Sequence, residues 1–153
     1  MKKILITILI LSASLFAVSD KAVVYDLTTG DISRFEQRIL SGIGHNMTHY
    51  EGKLETLKVA VIIHGESYKF FIKNFKGSSF AKDKALAKVH KEFGERLRSL
   101  VKFYKVEFIV CGSGIKHRKI KESDLYNFVS VTPNAAIGLI DKQADGYAYI
   151  PTR

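Results

Sequence analysis

Cys111 is the single cysteine of this 153-residue chain, and the residues around it are of the kinds that turn a thiol into a nucleophile. The apolar run 106–110 (VEFIV) leads into Cys111, then Gly112, Ser113 and Gly114, and then Lys116, His117 and Arg118. A thiol reacts as its thiolate, and amides at a glycine-rich helix start, together with nearby cations, pull its pKa down from about 8.5. On this reading Gly112, Ser113 and Gly114 present N–H groups to the sulfur, while His117 and Arg118 add positive charge. His64, followed by Gly65, closes a second apolar run at 57–63. If the two runs form neighbouring strands, His64 and Cys111 end about 5 Å apart. An imidazole there accepts the thiol proton or, once protonated, stabilises the thiolate. The competing reading is structural: a buried, inert cysteine, and a histidine that only satisfies backbone groups at a strand end. No Asp or Asn is evidently placed to orient His64, so a protease-like triad is not indicated.

Other chemistry fits the chain less well. The pair Gly112 and Gly114 has His117 where a dinucleotide fingerprint places its third glycine, which argues against a Rossmann-type cofactor site. Residues 28–31 (TTGD) could hold an anion at a helix start, but capping alone accounts for them. His45, Met47 and His49 offer ligands that suit copper, yet three donors in an expected loop, with no further cluster, point to no metal site. Accordingly, no cofactor is expected. With no second cysteine to resolve a mixed disulfide, disulfide exchange is also disfavoured. The formal charge of +9 would suit a nucleic-acid partner. However, the lysines and arginines of residues 82–102 are interrupted by Asp83, Glu92 and Glu95, the pattern of a solvated helix surface, so no nucleic acid is expected.

The elements that must position these groups alternate in type. Residues 1–19 read as a cleaved export signal: Lys2 and Lys3, an apolar run from position 4, and the small residues Ala17, Val18 and Ser19. That run falls short of the roughly 20 residues that span a bilayer, so stable membrane insertion is not expected and a periplasmic protein is. Residues 20–153 then form one domain. Short β-branched or aromatic runs at 23–27, 57–63, 106–110, 128–131 and 147–150 predict five strands. Between them, apolar residues at helical spacing predict helices near 32–39, 68–75, 81–103, 115–120 and 133–145, the last with Thr132 as cap and Gly146 as its left-handed stop. Strands joined through helices make a parallel sheet in an α/β fold. Phe70 and Phe80 lie beyond the face that one sheet can cover, and this suggests a subunit contact and a homo-oligomer.

Taken together, His64-Gly65, the strand ending at Cys111 and the closing residues 143–150 (QADGYAYI) resemble the DsrE/DsrF-like sulfur-relay family, over about residues 22–150. The resemblance implies a flavodoxin-like three-layer α/β/α fold with a five-stranded parallel sheet. It also implies homo-oligomers such as trimers or hexamers, and a cysteine, here Cys111, that carries persulfide sulfur between a donor and an acceptor protein. The export signal departs from the cytoplasmic relay members, and Lys105 stands where the family often has glycine. Two functions remain open: a sulfur carrier or sulfurtransferase-like protein, and a non-catalytic oligomeric protein that binds a small ligand and has an incidental cysteine.

Overall fold

The computed structural model describes residues 21–153, so the expected export signal lies outside the described residues. Five strands form one sheet: β1 (Lys21–Leu27), β2 (Leu57–Ile63), β3 (Glu107–Cys111), β4 (Val129–Thr132) and β5 (Ala148–Thr152). Their order is β4-β3-β2-β1-β5, and every pairing is parallel, as the alternation of strand and helix signals predicts. β1 and β2 are apolar almost throughout because both of their faces are covered.

Crossover handedness distributes the helices. From β1 to β4 the chain steps across the sheet in one direction, so right-handed connections place the intervening helices on one face. These are α1 (Ile32–Phe35), a π-helical turn (Glu36–Ser41), α2 (Gly42–Glu51), α3 (Lys84–Tyr104) and the short α4 (Gly112–His117). The last connection runs back past β1, which puts α5 (Ala135–Ala144) on the opposite face. The main core holds Phe35, Ile39, Ile43, Leu86, Phe93 and Leu97 against the first face. A smaller cluster of Val24, Ala60 and Ile62 packs under α5 on the second.

Several local expectations changed on folding. Segment 67–77 is not a continuous helix but two 3-10 turns, Ser67–Phe71 and Phe75–Gly77. Phe70 is 1% exposed and stacked on Phe35 with ring centroids 4.0 Å apart, so it cannot serve the subunit contact suggested for it. Thr132 is the last residue of β4, paired with Cys111, and the cap of α5 is instead Asn134, whose side chain accepts from the Ile137 amide at 2.9 Å. Lys105 does adopt the left-handed conformation, at φ 56°, where its Cβ is disfavoured. His45, Met47 and His49 fall on α2, not in a loop; Met47 is buried in the core while both histidines are exposed, so the three donors do not converge.

Candidate functional site

The reversal of winding decides where the thiol lies. The chain leaves β3 toward one face through α4 and leaves β4 toward the other through α5, so the two neighbouring strands diverge at their carboxyl ends. That crevice is where doubly wound sheets place ligands, and Cys111 ends β3 at its mouth. Gly112 lets the walls close: a Cβ there would sit 2.8 Å from the Thr132 carbonyl oxygen. The Ser113 amide donates to the Pro133 carbonyl at 3.0 Å and fastens the two loops together.

Cys111 is itself the N-cap residue of α4, so its sulfur stands beside the first turn of that helix. The Sγ lies 3.2 Å from Ser113 Oγ. Burial is the largest single influence and pushes the thiol up. Even so, hydrogen bonds from Ser113, the Gly114 amide, Tyr68 and the Ala135 amide together hold it below the ordinary thiol value. The Ala135 amide opens α5, so the two helices that flank the crevice each contribute an N–H. Tyr68 approaches only because position 114 is glycine, where a Cβ would lie 1.7 Å from its hydroxyl. Burial first, and then the neighbouring thiol, push the Tyr68 hydroxyl well up, so it stays a donor. Cys111 is 6% exposed, so a small or slender reactant is needed to reach it.

The remaining predicted residues take different places. His117 is exposed and makes no hydrogen bond to the thiol among the described residues; the pull on Cys111 comes from amides and hydroxyls rather than from cations. Arg118 pairs with Glu66 and lies over the Tyr68 ring at 5.5 Å, thus touching the thiol only through Tyr68. Gly65 is needed for its backbone: φ is 64°, and a Cβ would meet the Thr28 carbonyl oxygen at 2.8 Å. His64 stands level with Cys111, one step beyond the Ile63–Val110 pair. Its ring, however, bonds to Asp26 (Nε2 to Oδ1, 2.5 Å) and not to the sulfur. Asp26 is the residue that sequence reasoning missed; the available signal was a carboxylate inside an otherwise apolar strand.

The amide-held thiol predicts a pH profile. Alkylation of Cys111 by iodoacetamide should rise with a midpoint below that of an unstructured cysteine peptide, about 8.5; a midpoint at or above the peptide's would show that the hydrogen bonds do not favour the anion. Because the folded pKa is depressed, ionisation stabilises the fold above the unfolded thiol's pKa. That contribution disappears as pH falls through the folded value.

Fold and site together define a doubly wound α/β/α protein with one hydrogen-bonded thiol at its switch point. The sequence profile of the DsrE/DsrF-like family matches residues 22–151, and the chain belongs to that family. No curated protein matches it in sequence. Among solved structures it is similar to the protein of unknown function MTH1491 from Methanobacterium thermoautotrophicum, with a TM-score of 0.65 at 19% identity, covering 86% of this chain and 99% of that one. At that identity the likeness shows the fold alone.

Proposed function

We propose that this chain is an exported sulfur carrier, or sulfurtransferase-like protein, that holds persulfide sulfur on Cys111. The observation that carries the reading is the polar surround of one buried thiol: Ser113 Oγ lies 3.2 Å from the sulfur, the Tyr68 hydroxyl reaches the carbonyl of the same residue at 3.4 Å, and the Gly114 and Ala135 amides favour the anion. These groups stabilise a sulfur anion, and a thiolate so held attacks a sulfane sulfur and keeps it as Cys–S–SH. Family membership supports the same chemistry. The apolar, signal-like start supports export to the periplasm. The test is the intact mass of the protein after exposure to polysulfide and desalting: a gain of about 32 Da located on Cys111, the mass of one sulfur atom, is expected. A thiol left unmodified refutes the carrier.

Homo-oligomer formation, such as a trimer or hexamer, belongs to the same reading, but its support has moved. Ile137 and Ile140 on α5 are 38% and 62% exposed, and Tyr149 and Ile150 on β5 are 40% and 38% exposed, so this flank is an apolar surface left open. Light scattering at micromolar concentration should return a multiple of the chain mass; a monomer would exclude the assembly.

One observation favours the second reading, a small-ligand-binding protein. A cleft of about 700 Å³ lies away from the thiol, between the α1 to α2 segment and β5, and is lined by Tyr25, Arg34, Arg38, His45 and Ile150. If Cys111 takes no sulfur, that cleft becomes the better candidate site.

A further inference from the structure

The geometry points to a base beside the carrier thiol: the hydrogen-bonded group Tyr149, Asp26 and His64 takes the proton from the acceptor thiol that removes sulfur from Cys111. This rests on the carrier reading and adds a step to it.

Asp26 lies near the end of β1 and is 7% exposed. A carboxylate so placed needs partners, and it has two, His64 Nε2 at 2.5 Å and the Tyr149 hydroxyl at 2.6 Å. The three residues come from β1, the loop after β2, and β5, at sequence separations of 38 and 123, so no local turn brings them together. An ionised carboxylate only accepts, which makes both Nε2–H and Tyr149 O–H donors. The imidazole is thereby held as the Nε2–H tautomer with its lone pair on Nδ1. Among the hydrogen bonds of the described residues, Nδ1 has no partner, and the His64 side chain is 28% exposed.

Position supplies the other half of the argument. Strand alternation puts Asp26 and His64 on the face shared by Val24, Ala60 and Ile62; His64 is level with Cys111 across β2 and β3, and the Ala135 amide, which opens the helix on that face, reaches the sulfur. The thiol is already stabilised by Ser113, Tyr68 and two amides, without the histidine. That leaves a tautomer-fixed base about one strand spacing away with no task in loading sulfur.

Unloading supplies the task. An acceptor R–SH gives its proton to His64 Nδ1, and the resulting R–S⁻ attacks the outer sulfur of Cys111–S–SH. The S–S bond breaks, its electron pair stays on Cys111 Sγ, and the acceptor departs as R–S–SH. No net oxidation or reduction occurs. The Cys111 thiolate returns to its ring of donors, and Asp26 stabilises the His64 imidazolium. Asp26 is a positioning residue here, and Tyr149 holds it from the edge of the sheet. The ionisable groups around the imidazole are Asp26 from β1, bonded to it, and Cys111, level with it at the end of β3, with Tyr149 on Asp26 and Arg153 beside Tyr149.

The experiment separates the two steps. Wild type, His64→Gln and Asp26→Asn are loaded with polysulfide, desalted and mixed with glutathione, and loss of the added sulfur is followed by mass. All three should load equally. Near about pH 6.5, where an ordinary thiol of pKa about 8.5 is almost wholly protonated, both variants should unload at least about tenfold more slowly than wild type. At about pH 10 glutathione is already a thiolate, and the rates should converge. That convergence is not expected if the triad only ties strands together. Variants that load normally and unload at the wild-type rate, or that are slowed equally at both pH values, overturn the base while leaving the carrier standing. Wild type that takes no sulfur removes both. If Asp26→Asn does not fold, His64→Gln, at a partly exposed position, decides alone.

Discussion

Cys111→Ser protein should gain no sulfur under conditions where wild type gains one atom, with its stability little changed. The first half follows from uniqueness: there is no other cysteine in the chain, so no second thiol can take up the cargo. The second half follows from the surroundings. Serine is close in size, and its hydroxyl can keep the 3.2 Å contact to Ser113 Oγ and receive the Gly114 and Ala135 amides. Thermal denaturation beside the mass measurement checks that the loss is chemical. A variant that still gains about 32 Da would show that the sulfur sits elsewhere.

Phe35→Ala should be among the most damaging single substitutions. The ring is 0% exposed and is stacked on Phe70 at 4.0 Å, edge-on to Phe71 at 5.9 Å and tilted against Phe93 at 5.5 Å. Removing it strips the junction of α1, the 3-10 turn and α3. A cavity of this kind costs about 3–5 kcal/mol, a large share of the roughly 5–15 kcal/mol that holds a domain folded. Chemical denaturation checks it. A loss below about 1 kcal/mol would mean that the neighbouring rings collapse into the space. Phe70 and Phe71 lead out of the turn that also carries Tyr68, so this core supports the hydroxyl that donates to the Cys111 carbonyl at 3.4 Å, beside the thiol.

Sequence reasoning went wrong where it treated neighbours along the chain as neighbours in space. The cations after Cys111 looked as though they governed its charge. As the cap of α4, however, Cys111 has the Gly114 amide of the first turn beside its sulfur, whereas His117 lies at the far end of that helix and faces solvent. His64 was placed correctly at the level of Cys111, but its partner was invisible: Asp26 lies 38 residues earlier, and Tyr149, the other group on Asp26, lies 123 residues beyond Asp26. Phe70 seemed surplus because its cover, Phe35 and Phe93, comes from two helices whose packing no local pattern reveals.

What the sequence determined by itself was the inventory and its alternation. Five β-branched or aromatic runs became five parallel strands, because such runs fit a sheet covered on both sides and the long connections between them force crossovers. It also placed one thiol at a strand end, a histidine at the next, and left-handed backbone at Lys105 and Gly146. Tertiary structure alone decided that α5 returns on the opposite face, which opens the crevice between β3 and β4 at Cys111 and brings the Ala135 amide to the sulfur. It also turned His64 toward Asp26. The physical reason is the range of the forces involved. Hydrophobic periodicity acts within a few residues and can be read along the chain, whereas Tyr68 and the Ala135 amide at the thiol, and the Asp26 carboxylate at the imidazole, come from distant segments that only the completed sheet brings within hydrogen-bond distance.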